Sequence, residues 1–166
     1  MSNKGRFLKL KNSSVDYNTP PEIAALIQKF FNNALGLDPC SNKDSYINAL
    51  KKIMPPIDGL NIEWNTTVFC NPPYGRGIGK WLKKCSENNY ETLALIPVAT
   101  NTSHWRKYIF EIKANVCFLY EPRVKFWLYG NKIEKGAPMA CCIVYWGQNL
   151  EKFIKHFSEI GAILKA

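Results

Sequence analysis

The stretch Thr67-Val68-Phe69-Cys70-Asn71-Pro72-Pro73-Tyr74-Gly75-Arg76-Gly77 decides how this chain is read. β-Branched and apolar residues predict a buried strand, and it runs directly into two prolines. Two prolines in a row remove two N–H donors and narrow the backbone's choices, so the strand ends there and the chain leaves it stiffly. A turn of this kind holds the Asn71 side-chain oxygen and the Pro72 carbonyl oxygen as two fixed acceptors. Both can engage the two hydrogens of one planar amine, which draws the nitrogen lone pair out of conjugation and makes it a better nucleophile. Tyr74 adds an aromatic face on which a base can stack. Such chemistry is mostly positioning and electrostatics, and it needs no metal.

Downstream of the turn, Ile78, Trp81, Leu82 and Cys85 have i, i+3, i+4, i+7 spacing and predict a helix. Residues 92–98 read as the next buried strand, and a short helix is expected around Trp105 to Phe110. Three strand-like runs follow, over 115–120, 124–129 and 139–146. A last helix carries Leu150, Phe153, Ile154 and Phe157, and residues 162–164 are placed to close the sheet.

Upstream, Thr19-Pro20-Pro21-Glu22 reads as a helix start with threonine as N-cap, and Ile23, Ile27, Phe30 and Phe31 supply its apolar face. Residues 34–39 read as a short buried strand ending at Asp38. Tyr46, Leu50 and Ile53 fit one face of a short helix, stopped by Met54-Pro55-Pro56 before a turn at Asp58-Gly59. Residues 1–14 are polar and basic and are expected to form a mobile arm ahead of one domain over 15–166. Alternating helices and strands with a strand-rich end predict an α/β domain. Its sheet is expected to be mostly parallel, with an antiparallel C-terminal edge. Ligands of such sheets sit beyond the carboxyl ends of the strands, where Asp38 and Asn71 both fall.

Composition limits the partners. Twenty-two basic against thirteen acidic side chains give a formal charge of +9, which favours a polyanion. No apolar run reaches the ~18 residues of a bilayer span, so no membrane partner is expected. The six cysteines form no C-x-x-C pair and sit mostly in apolar runs, so free thiols in a reducing, cytoplasmic setting are expected, without a structural metal. Arg76, Lys80, Lys83 and Lys84 near the turn, and Lys125, Lys132 and Lys135 around a later loop, are candidates for phosphate contact. Arg123 reads either this way or as a structural ion-pair partner.

With these residues in view, the chain resembles the small, phage-type (Dam-like) DNA N6-adenine methyltransferases. Asn-Pro-Pro-Tyr is the catalytic motif of amino-group methyltransferases. The ordered pattern around it covers about residues 16 to 146: Tyr17-Asn18-Thr19-Pro20-Pro21, Gly36 to Ser41, Asp58-Gly59-Leu60 with Trp64, Leu95 to Thr100 with Trp105, and Arg123 to Phe126. The resemblance implies a single Rossmann-like domain that uses S-adenosylmethionine to methylate adenine N6 in DNA, in the host cytoplasm if phage-encoded. It places Thr19 and Pro20 near the methionine carboxylate of the cofactor, Asp38 and the adjoining Pro39 at its amino group, and Asp58 and Gly59 at its adenine. Asn71, Pro72, Pro73 and Tyr74 would hold the target base, with Phe126 on the opposite face of the stack and Arg76 and Lys132 on DNA. One departure is visible: residues 38–42 lack the Gly-x-Gly loop found in many methyltransferases, and Asp44 is the nearest acid for the ribose. The same tetrapeptide also serves enzymes acting on RNA or a protein amide, and a nucleic-acid-binding protein that has lost cofactor binding is a further reading.

Overall fold

A computed structural model describes residues 17–165. The expected basic arm over 1–14, and its expected boundary with the domain at residue 15, therefore lie outside the described residues. Seven strands form a mixed sheet in the order β10-β6-β9-β5-β4-β2-β3. These are β2 (Leu37–Asp38), β3 (Lys51–Lys52), β4 (Val68–Cys70), β5 (Thr92–Pro97), β6 (Asn115–Leu119), β9 (Cys141–Trp146) and β10 (Gly161–Leu164). A separate three-stranded sheet has the order β1-β7-β8, from Tyr17–Asn18, Trp127–Leu128 and Asn131–Lys132.

The large sheet alternates because its strands do. Phe69, Leu93, Leu95, Ile143 and Tyr145 pack to one side, against Ile27 and Phe30 of α1 (Pro21–Phe30) and Phe153 and Phe157 of α4 (Leu150–Phe157). Val68, Cys70, Ala94, Ile96, Cys142 and Val144 pack to the other, against Trp81, Leu82 and Cys85 of α2 (Ile78–Glu87) and against Trp105 and Ile109. A two-residue period along each strand thus feeds two apolar layers, each closed by helices.

The element boundaries correct the sequence reading in several places. Helix α1 starts at Pro21 with Pro20 in the cap position, and no side chain caps it. Thr19 lies buried one residue further back and is not the N-cap. Proline at the first position needs no cap for the N–H it lacks. Residues 46–53 form no helix. The N–H groups of Leu50 and Lys51 donate to the carbonyls of Leu35 and Gly36, tying the segment alongside β2. Ile47 takes the core position, while Tyr46 and Leu50 stay exposed. The Trp105 to Phe110 helix is a single turn, α3 (Ser103–Trp105), continued as a π-helical turn over Arg106–Phe110. Residues 124–126 are not strand, and β7 belongs to the small sheet.

Pairing is parallel for β2·β3, β2·β4 and β4·β5, and antiparallel for β5·β9, β6·β9 and β6·β10. The antiparallel half is therefore larger than an edge, because β9 is inserted between β5 and β6. In the parallel half, the chain leaves β2 toward β3 on one side and leaves β4 toward β5 on the other. That reversal is a topological switch point, and it opens a crevice between the carboxyl ends of β2 and β4.

The opposite end of the sheet is held by a polar cluster. Tyr145 Oη donates to Glu91 Oε1 and accepts from the Asn149 N–H at 3.1 Å, while Lys152 Nζ donates to Glu91 Oε2 at 2.8 Å. Tyr145 is fully buried, so removing its hydroxyl leaves Asn149 without its partner. Tyr145→Phe is expected to lower unfolding free energy by about 1–2 kcal/mol in denaturant titration, and an unchanged midpoint would show the cluster contributes nothing.

Candidate active site

Asp38 ends β2 and Asn71 follows the last residue of β4, so the parallel pairing brings both to one end of the sheet. Cys40 and Cys70, one on each side of the crevice, have Sγ atoms 3.7 Å apart. A cavity of about 330 Å³ brings together three of the residues expected to bind a cofactor, Pro39 with Cys40 and Ser41 from the loop after β2 and Asp58 and Gly59 from the later turn, along with Pro73 of the proline turn; Thr19, Pro20, Asp38 and Asn71 do not line it. Ile53, Ile57, Leu60 and Trp81 give it apolar walls. A second hollow of about 430 Å³ includes Pro20 and Lys132 but none of those segments, so its size does not make it the reaction centre.

The turn at Asp58 is built to touch the loop after β2. Asp58 Oδ1 accepts from the Leu60 N–H at 2.9 Å and starts a short 3-10 turn over Gly59–Asn61. A Cβ on Gly59 would stand 2.1 Å from the Pro39 carbonyl oxygen, so only glycine permits this approach. Trp64 Nε1 donates to the Gly59 carbonyl at 3.0 Å, and Lys84 Nζ donates to the carbonyls of Leu60 and Ile62 at 2.8 and 2.6 Å. Lys84 thus fastens this wall and is withdrawn from the set of phosphate contacts.

Two hydrogen bonds and one ring contact set the reaction turn. Asn71 Nδ2 donates to the Tyr17 carbonyl at 3.3 Å, which fixes Oδ1 as the accepting end of the amide. Pro72 is buried beside it. Tyr74 Oη donates to the Leu95 carbonyl at 3.1 Å, and Gly75, at φ +140°, releases the chain toward α2. Burial raises the Tyr74 phenol well above its ordinary range, so it stays protonated and anchored. Phe126 meets Tyr74 edge-on, with centroids 5.8 Å apart and planes at 81°, and touches Tyr17 in the same manner. Phe126 is therefore at the site, perpendicular to Tyr74 rather than parallel to it.

The cations fall into two groups. Arg76, Lys80, Lys132 and Lys135 are exposed. Lys83 pairs with Glu87, Lys125 with Glu134, and Arg123 donates to the Pro138 carbonyl at 2.8 Å. Asp44 is half-buried at its own turn, its N–H bonded to Asn42 Oδ1. Among the described residues, no group of three or more His, Cys, Asp or Glu side chains is arranged to hold a metal ion, and no helix is long and apolar enough to cross a membrane.

Asp38 is the buried acid of the crevice. It is 3% exposed and forms no ion pair among the described residues. The Cys40 N–H donates to Oδ1 at 3.1 Å and Ser45 Oγ to Oδ2 at 3.5 Å. Desolvation by burial pushes the carboxyl up to about 6 from 3.8, and these bonds together with the charge of Lys52 only partly offset it. Next to the apolar walls of the cavity, which suit a planar ring and which Asp38 does not itself line, stands a buried carboxyl acted on only by the charge of Lys52, its exposed partner on β3. S-adenosylmethionine, with an ammonium and an adenine, fits that donor set. The signal for Ser45 and Cys40 as Asp38 partners was not visible in sequence, since short polar residues follow many turns.

A carboxyl raised in the folded state makes stability fall with pH. Between about pH 4 and 6 the unfolded chain gives up this proton while the folded chain keeps it, and above 6 the penalty is constant at about 2–3 kcal/mol. Asp38→Asn keeps an oxygen for the Cys40 N–H. It is expected to stabilise the ligand-free chain by about that amount at pH 8 and by little at pH 4. Equal effects at both pH values in denaturant titrations would mean the carboxyl is not destabilised by burial.

No curated protein and no solved structure matches this sequence. A family profile does, over residues 9–161, and its span takes in the crevice, the proline turn and the small sheet. On that match the chain belongs to the DNA N-6-adenine-methyltransferase (Dam) family.

Proposed function

We propose that this chain transfers the methyl group of S-adenosylmethionine to N6 of an adenine at a specific sequence in DNA, using the crevice between β2 and β4. The observation that carries the reading is the emergence of Asn71-Pro72-Pro73-Tyr74 at the switch point of the sheet, across from the buried Asp38. That placement, with the three parallel pairings beside it, supports reading the large sheet as a Rossmann-like methyltransferase core. Free cysteines throughout the described chain fit a reducing compartment such as the cytoplasm.

In this reading Asp38 meets the cofactor's ammonium, with Pro39 beside it, and Thr19 and Pro20 approach its methionine end. Asp58 and Gly59 form the edge of the apolar cavity that takes its adenine. The cofactor supplies an electrophilic methyl group on a sulfonium. Asn71 Oδ1 and the Pro72 carbonyl accept the two hydrogens of the target amine, and Pro73 keeps that turn stiff. Tyr74, anchored through its hydroxyl, presents its ring to the base, and Phe126 buttresses that ring from the edge. Fixed acceptors aimed at the amine do not reorganise during transfer, which is the main source of acceleration here. Arg76, exposed just after the turn, and Lys132, exposed on β8, contact the DNA backbone.

Incubation with methyl-labelled cofactor and either DNA or RNA, followed by nucleoside analysis, is expected to yield N6-methyladenine from DNA. Label in RNA or in protein instead would overturn the reading. Asn71→Ala is expected to lower turnover at least about 10²–10³-fold while duplex binding is retained, and comparable turnover in that variant would refute the role of its amide oxygen.

A further inference from the structure

The large sheet has two edges, β3 and β10, and they are finished differently. β3 presents Lys51 and Lys52, both exposed, and charged side chains on a short edge strand keep other strands from pairing with it. β10 is Gly161-Ala162-Ile163-Leu164, with neither a charge nor a proline to guard it. Its one neighbour in the sheet is β6, with Ala162 opposite Phe118 and Leu164 opposite Val116. One residue beyond this register, the Tyr120 N–H donates to the Ile160 carbonyl. Backbone groups alternate along an antiparallel ladder, so residues 160, 162 and 164 turn theirs toward β6. Residues 161, 163 and 165 turn theirs outward, and among the described residues no other strand meets them.

Apolar surface runs up to this open edge. Leu164 is 44% exposed, and Ala162 is exposed beside the half-buried Phe118. The Phe118 ring stacks on Trp105 at 6.4 Å, and Trp105 meets Phe110, itself 40% exposed, at 5.6 Å. An unguarded row of donors and acceptors flanked by apolar side chains is a template for one more strand.

Charge at the two ends of β10 indicates which strand. A strand can pair antiparallel with its own copy about a two-fold axis, provided that outward residues meet outward residues. Centring the axis on Ala162 meets that condition, because Gly161 of each copy then faces Ile163 of the other. In the same register Glu159 of each copy faces Lys165 of the other. Both are exposed, and neither forms an ion pair among the described residues. Sliding the register by two residues sets Lys165 against Gly161 or Phe157 and loses both charge pairs. The small Ala162 side chains on the axis let the strands close. We propose that two copies of this chain form a two-fold dimer through β10, which joins their large sheets into one continuous sheet.

Sedimentation equilibrium of the full chain over about 1–200 µM is expected to show monomer and dimer in exchange, with a Kd on the order of 10–100 µM because few residues are joined. Ala162→Lys places like charges opposite each other on the axis and is expected to leave only monomer over that range. Glu159→Lys and Lys165→Glu are each expected to weaken the dimer about tenfold, and the two exchanges together to restore it within about threefold. All three positions are exposed, so thermal midpoints should stay within about 2 °C of the native chain, which separates lost pairing from lost folding. A native chain that is monomeric throughout would overturn the proposal. So would a dimer that survives Ala162→Lys, by placing the contact elsewhere. A double exchange as weak as the single ones would overturn the register and the pairing built on it.

Discussion

The Asp38 carboxyl is held out of water at the end of β2, where it forms no ion pair among the described residues and feels only the charge of Lys52 on the neighbouring strand, and the crevice is arranged around that burial. A carboxylate in this setting weakens the fold at neutral pH, so its retention points to a partner supplied from outside the chain. The surrounding backbone approaches closely: Gly59 lies against the Pro39 carbonyl, and the loop carrying Cys40 touches the strand that delivers Asn71. These contacts put the anion, the apolar cavity and the proline turn within one rigid neighbourhood. A reaction that depends on alignment, with no strong acid or base, needs that rigidity more than it needs reactive groups.

Rigidity also reaches the small sheet. Asn71 is bonded to Tyr17, which pairs with Leu128, and Phe126 bridges the rings of Tyr17 and Tyr74. The strands β1 and β7 are short, yet they and the residue before β7 hold both the Asn71 amide and the Tyr74 ring. Beyond Leu128 the chain reverses through Tyr129 and Gly130, both at positive φ, and returns as β8 with Lys132 exposed. The segment that meets Tyr74 and the exposed Lys132 are thus parts of one continuous hairpin.

How much of this was legible follows from periodicity. The helices bearing Ile78, Trp81, Leu82 and Cys85, and Phe153 and Phe157, were readable because their buried faces repeat at helical spacing. The crevice was readable because Asp38 and Asn71 close two buried strands. Residues 46–53 misled because apolar Tyr46 and Leu50 imitate a helix face, whereas backbone bonds to Leu35 and Gly36 decide the outcome and leave both exposed. Thr19 misled because Pro20 and Pro21 make a cap unnecessary. The insertion of β9 between β5 and β6 is a tertiary choice that no local pattern encodes. Lys84 looked like a DNA contact and is a backbone clamp, since its reach to Leu60 and Ile62 exists only in the folded chain.

The claim on which the account turns is that Asp38 receives the cofactor's ammonium. Calorimetric titration with S-adenosylhomocysteine in buffers of different ionisation heat counts the protons exchanged on binding. With the carboxyl at about 6 in the free chain, roughly half a proton should be released per ligand bound at pH 6, and almost none at pH 8. Binding at pH 6 with no proton released would contradict the account, because the ammonium would then be meeting a group already ionised, or another group altogether.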